Sequence, residues 1–324
     1  MRTIPTAEQQ YLDLNHRILE EGEWVMNERT GKRCLTVIGE TFKYDCRNFD
    51  FPLVTTRKAF WVSAIAEMLG YLVGFDNAED FKRIGTPTWF DNANKTKAWL
   101  DNPHRKGEND MGRVYGVQGR NWRVAPTDAD YQLLKKYFDE DDTENFEKHL
   151  NSLNSNVIDQ LQKVVDNLMK GIDDRGETIT FWNMAEFDQG CLRPCMRTHT
   201  FSVLNGKLYL TSDQRSVDVP LGLVFNMPQC AFLLYLMADM TGLEPARVDH
   251  HLINIHIYED QIELMRDVQL KREPLAVPKF RIKKSFKNLK ELEDAVRSDD
   301  FKVKDYYEVL GYESHERIDF PFSE

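Results

Sequence analysis

Basic charge, cysteine and long apolar runs are all scarce in this chain, and each scarcity removes a class of function. The sequence sets 42 Lys and Arg against 53 Asp and Glu, a formal charge of −11. A general nucleic-acid binder carries a basic footprint, so none is expected, although a local arginine cluster can still hold a small anion. Five cysteines in 324 residues do not make a disulfide framework. No run of about 18 apolar residues stands out, and no leader with an apolar core, so neither a membrane span nor a secretory signal is expected. Cys191 and Cys195 lie four apart without a second Cys or His pair at zinc spacing, so no metal is expected. These absences point to a soluble protein in a reducing cytoplasm. What is present, 41% hydrophobic residues, suffices for a large core. With no internal repeat or low-complexity linker, a single domain over 1–324 is the expectation.

The segment around Cys191-Leu192-Arg193-Pro194-Cys195-Met196 holds the densest chemistry. Residues 198–203 and 207–211 alternate apolar and polar around Leu204-Asn205-Gly206, the pattern of a hairpin. A hairpin returns Gln214-Arg215-Ser216-Val217-Asp218 toward Cys195, and a guanidinium beside a thiol favours the nucleophilic thiolate. A buried core cysteine is the bland alternative, and the neighbours weigh against it. Asn226 follows a few residues later.

Elsewhere, residues 5–22 read as an amphipathic helix, and strands are expected over 34–38 and near 42–44. Arg29 lies in a polar turn and matters only if a phosphate site exists. A strongly apolar helix over 61–73 carries Glu67 among Ile65, Met68 and Leu69, either facing solvent or buried as an acid of raised pKa. Residues 95–111 read as a surface insertion before Gly112-Arg113-Val114-Tyr115-Gly116. Residues 126–172 read as an outer helical layer with an acidic run at 139–142. An apolar helix is expected over 231–240, with Gly242 as its C-cap. In the strand that follows, Asn254, His256 and Tyr258 share one face, and a sugar contact competes there with plain core packing.

Taken in order, Arg29-Thr30-Gly31, residues 51–56, Glu67, Trp89, Val114-Tyr115-Gly116, Trp182-Asn183, Pro194-Cys195, Gln214 to Asp218, Leu221-Gly222, Phe225-Asn226, His256-Ile257-Tyr258 and Arg272-Glu273-Pro274 resemble the thymidylate synthase family. Each motif alone is weak, but their order and spacing are specific. The resemblance runs from about residue 29 onward, interrupted near 95–111 and 126–172. It implies an α+β fold, a large twisted mixed sheet flanked by helices, dimerising through the sheet. It implies dUMP as substrate and 5,10-methylene-tetrahydrofolate as co-substrate. Cys195 would add to C6 of the pyrimidine. Arg29, Arg215 and Ser216 would hold the phosphate, with Arg175 donated from the partner subunit and Gln214 also on the nucleotide side. Asn226 would read the base, His256 and Tyr258 the ribose, and Asp218 the pterin. Arg57, Trp89, Gly222 and Phe225 would complete the folate side. Glu67 would organise proton transfer, and Tyr115 would assist loss of the C5 proton.

Asn226 can donate to uracil O4 and accept from N3–H, which favours dUMP over dCMP. Four departures from the family pattern carry a further expectation. Met196 replaces the usual histidine, Arg175-Gly176 an arginine pair, and Ile253-Asn254 a Gly-Asp. The usual small or apolar tail becomes Pro321-Phe322-Ser323-Glu324. A polar tail would admit water to the methylene intermediate, so a phage-type dUMP hydroxymethylase serving hypermodified DNA is the expectation. A thymidylate synthase making dTMP is the alternative, and an inactive nucleotide-binding homologue a remote one.

Overall fold

Thr6 starts the first helix, α1 (Ala7–Glu21), by accepting the Gln9 N–H on its hydroxyl, and Tyr11, Leu14 and Ile18 bury its inner face. The computed structural model describes residues 4–28, 30–137, 143–154 and 156–322. Arg29, the acidic run at 139–142 and Ser323-Glu324 lie outside these residues.

After α1 come β1 (Glu23–Asn27) and β2 (Lys32–Asp45). The two strands expected over 34–38 and 42–44 are one, with Gly39 at φ +75° carrying the chain through the irregular point between them. β1 gave no sequence signal because Trp24, Val25 and Met26 are all about half exposed, so apolar and polar residues do not alternate. The helix α2 (Trp61–Leu72) follows, then α3 (Gln160–Met169), β3 (Thr178–Thr180), β4 (Met196–Leu204), β5 (Lys207–Asp218), α4 (Val224–Thr241) and β6 (Glu244–Tyr258). Six strands form one mixed sheet in the order β1-β2-β6-β5-β4-β3. Only β5 and β6 run parallel, and α4 makes the crossover that a parallel pair needs. Asn205 and Gly206, both at positive φ (52° and 77°), make the two-residue turn between β4 and β5.

One face of the sheet buries Leu208, Leu210, Val248, His250 and Leu252, and α4 contacts both β5 and β6. α2 and α3 pack on α4 in turn. The opposite face carries Arg197, Asp213, Arg247 and Asp249, paired with one another and only partly buried. One hydrophobic cluster runs from Tyr11 to Phe320.

Three expectations need correction. The stretch Val219–Thr241 is long and apolar enough to cross a membrane by composition, contrary to the sequence reading. It lies inside the protein, where a helix apolar on all sides belongs. α4 also begins at Val224, not near 231: it continues from a π-helical turn, Val219–Leu223, and runs on through Pro228 despite the ladder bond that proline forfeits. Finally, residues 95–111, read as a surface insertion, reach inward, while the helical layer expected within 126–172 is present with its apolar face buried. Trp99 is buried with its indole N–H on the Asp110 carbonyl at 2.6 Å, and Leu161, Val164, Val165 and Leu168 seat α3 against α4 and β3.

Candidate active site

Cys195 closes the loop that enters β4, and its backbone is fixed from both sides. Its N–H donates to the Tyr115 hydroxyl at 2.7 Å, and its carbonyl accepts the Arg215 N–H at 2.9 Å. The β4–β5 hairpin thus returns Arg215 to the sulfur, with Nη2 3.9 Å from Sγ. Arg215 is itself held: Nε donates to the Pro194 carbonyl (2.8 Å), Nη2 to the Arg193 carbonyl (3.0 Å), and the Trp182 ring lies 5.4 Å away. A pinned cation beside a sulfur is the setting that nucleophilic thiols use.

Tyr115 sits at φ +37°, a strained value for an aromatic residue. Two contacts hold it there. Its ring stacks on Tyr71 at 4.5 Å and 7°, and Gly116 passes so close to the Tyr71 backbone that no Cβ would fit. Burial, then the nearby Cys195, pushes the phenol well above its ordinary pKa. Trp89 packs edge-on against the same ring at 5.6 Å.

Glu67 is buried, and burial raises its pKa while hydrogen bonds hold it back. Thr88 Oγ1 donates to it at 2.6 Å and Gln229 Nε2 at 2.7 Å. Gln229 Oε1 accepts from Asn226 Nδ2 (2.8 Å), Asn226 Oδ1 from Gln214 Nε2 (2.8 Å), and Gln214 Oε1 meets His250 Nε2 (2.8 Å). The carboxylate and Asn226 thus belong to one hydrogen-bonded chain, buried except at Asn226. Gln214 lies within it, behind the cleft.

A cleft of about 620 Å³ opens over Cys195, lined also by Arg215, Ser216, Asp218, His256 and Tyr258. Asp91, Asn92, Lys95, Thr96 and Lys97 form its far wall. Sequence reasoning missed this wall, having read residues 95–111 as surface. His256 Nδ1 pairs with Asn254 Oδ1 at 2.9 Å, and Asn27 Nδ2 donates to the Tyr258 hydroxyl at 3.1 Å. Asn254 thus supplies the acceptor that an aspartate would have offered.

Asp218 accepts from Leu221 N–H (3.2 Å) and from Gln261 Nε2 (3.1 Å), and burial raises its pKa to about 6. Gln261 Nε2 also donates to the Pro321 carbonyl at 2.9 Å, tying the final segment to Asp218. Arg57 and Phe225 line a separate, smaller cavity of about 140 Å³, with Phe320 beside them. Arg57 is buried. Its Nη2 donates to Pro220 O and its ring neighbour is Phe320 at 4.9 Å, while Nε finds no acceptor in the protein. A buried donor left over, next to a carboxylate and aromatic rings, fits a heteroaromatic ligand with polar edges. Gly222 meets only ordinary contacts, so nothing in its backbone requires glycine.

Arg175 is the one candidate that the fold keeps away. It sits exposed in the turn before β3, where Asp173 accepts the Val203 N–H near the far end of β4. Cys195 lies at the near end, roughly 25 Å off at the rise of a strand. Among the described residues, no group of three or more His, Cys, Asp and Glu stands ready for a metal.

A thymidylate synthase family model matches residues 9–324. This chain belongs to the thymidylate synthase family. Thymidylate synthases of Aliivibrio fischeri and Vibrio parahaemolyticus are each 54% identical over 314 residues, and one of Haemophilus influenzae is 55% identical. Each alignment covers 97% of this chain and 99% of the relative. Like the family, the chain is a folate-dependent pyrimidine nucleotide C5 transferase with 5,10-methylene-tetrahydrofolate as co-substrate. The expectation of a phage-type hydroxymethylase is overturned by these relatives, which are thymidylate synthases over nearly their whole length. One of the departures that suggested it has a local answer in this fold. Asn254 still holds His256, and Gln229, a residue the sequence reading passed over, bridges Asn226 to Glu67. Its signal was present: an amide flanked by apolar residues on a buried helix must find partners.

Proposed function

We propose that this chain converts dUMP to dTMP, with methylene-tetrahydrofolate supplying both the one-carbon unit and the hydride and leaving as dihydrofolate. The observation that carries the reading is Cys195 held between Tyr115 and Arg215 at the floor of the cleft. The Cys195 thiolate adds to C6 of the uracil, and the electrons move onto C5–C4–O4. Asn226 offers an N–H at O4 and an acceptor at N3–H, which stabilises the enolate. Arg215 and Ser216 hold the phosphate at the cleft wall, Arg29 joins them by the family resemblance, and His256 and Tyr258 meet the ribose hydroxyl. C5 of the enolate attacks the folate methylene. Tyr115, bonded to the Cys195 N–H, then assists removal of the C5 proton, Glu67 organises that proton transfer, and the carrier leaves as tetrahydrofolate. Hydride from the tetrahydrofolate reduces the exocyclic methylene as the Cys195 thiolate leaves C6, which frees dTMP and dihydrofolate. Asp218, with Arg57, Trp89 and Phe225, faces the pterin side, and Gln261 holds residues 321–322 over it.

A homodimer through the open sheet face completes the reading. Two observations support it: that face is only partly buried, and Arg175 is out of reach of its own Cys195. Arg175 from the partner subunit would then join the phosphate site. The chain functions as one catalytic domain in the cytoplasm. Incubation with 5-fluoro-dUMP and methylene-tetrahydrofolate tests the reading. A covalent ternary complex mapped to Cys195 by peptide mass spectrometry is expected, and its absence with native, folded protein would refute it.

A further inference from the structure

An amide inside an apolar helix has to be answered at both ends. Gln229 lies fully buried on α4. Its Nε2 donates to Glu67 Oε2 at 2.7 Å and to the Ala64 carbonyl at 3.3 Å, and its Oε1 accepts from Asn226 Nδ2 at 2.8 Å. Beyond Asn226 the chain continues through Gln214 to His250, whose Nδ1 meets the Tyr44 hydroxyl at 2.9 Å.

The direction of this chain is not free. An ionised carboxylate offers only acceptors, so Gln229 turns its NH2 group to Glu67 and its oxygen to Asn226. Asn226 must then turn its NH2 group to Gln229 and its oxygen to Gln214. His250, buried and neutral, must carry its proton on Nε2. A proton on Glu67 Oε1, toward Thr88, would leave Oε2 the same acceptor. Reversing one amide alone would set two N–H groups, or two oxygens, against each other, a costly arrangement in a buried network.

We propose that Gln229 is a positioning residue that fixes the orientation of the Asn226 amide from Glu67, and thereby sets the choice of uracil over cytosine. The inference rests on the proposed role of Asn226 at the base. Uracil presents the O4 acceptor beside the N3–H donor, whereas cytosine presents the amino donor beside the N3 acceptor. An asparagine amide suits one edge or the other according to which way round it is held. Selection therefore resides in the groups that hold Asn226 as much as in Asn226 itself. Met196 opposite Gln214 in the β4–β5 ladder is buried and apolar, so it offers the chain no polar alternative.

The test is equilibrium binding of dUMP and dCMP to wild type and to Gln229→Met, which keeps the length and removes both polar ends. Wild type is expected to prefer dUMP, and the variant to lose about tenfold or more of that preference, as a freed amide samples both orientations. A merely structural role would weaken both nucleotides alike, and an unchanged preference would overturn the proposal. A wild type with no preference would instead refute the reading of Asn226. Should the variant fail to fold, neutron diffraction from wild-type crystals decides. Deuterium on the Asn226 amide is expected toward Gln229; deuterium toward Gln214 would overturn the proposal.

Discussion

Replacing Tyr115 with phenylalanine removes a single oxygen and separates two roles that the structure gives that residue. The ring would keep its stack on Tyr71 at 4.5 Å, and Gly116 would keep its approach to the Tyr71 backbone. The lost atom accepts the Cys195 N–H at 2.7 Å. Leaving that N–H unanswered costs about 1–2 kcal/mol, the lower part of the range because Cys195 is only part-buried. For a chain of this size that is a fall in Tm of about 2–4 °C. The catalytic consequence is larger. Loss of a group that assists one proton transfer lowers kcat by about 10²–10⁴-fold. The loss should fall on the C5 proton. Release of tritium from C5-labelled dUMP is expected to slow as much as dTMP formation, while the 5-fluoro-dUMP adduct, which never reaches that step, still forms on Cys195. Stopped-flow and tritium-release assays on Y115F check both. Turnover within about threefold of wild type, with the small Tm change present, would show that Tyr115 only braces the loop, refuting the reasoning.

Gly116→Ala forces a Cβ into the Tyr71 backbone; a loss of about 3 kcal/mol or more is expected by urea unfolding. Asp218 has its pKa raised by burial to about 6 from 3.8, so its ionisation costs nothing below about pH 4 and roughly 2–3 kcal/mol once the pH has passed about 6. Asp218→Asn is therefore expected to be more stable than wild type at alkaline pH and equal to it under acid conditions, read from Tm against pH. Gln261→Ala removes the tie between Asp218 and Pro321 and is expected to raise KM for the folate about 5-fold, the worth of one hydrogen bond of about 1 kcal/mol, with KM for dUMP little changed.

Much of this arrangement was legible because it is local. Asn205-Gly206 announces its hairpin, and the hairpin alone returns Arg215 to Cys195. Glu67 among Ile65, Met68 and Leu69 announces a buried acid. What sequence could not show is which distant polar groups answer each other. Gln229, Gln261 and His250 carry no periodic or motif signal, and their meaning comes from partners up to 206 residues away, as for His250 and Tyr44. The cleft wall at Asp91 to Lys97 was hidden for a related reason: its residues are polar, as in a surface loop, while Trp99 anchors the segment from below. The misjudged product had the same origin. Asn254 was weighed as a loss against a pattern, although its own amide oxygen still answers His256.

Product analysis with purified protein, dUMP and methylene-tetrahydrofolate tests the central claim most directly. A nucleotide heavier by one CH2 group is expected, formed in step with dihydrofolate absorbance. A nucleotide heavier by CH2O, with tetrahydrofolate released and no rise in that absorbance, would contradict it.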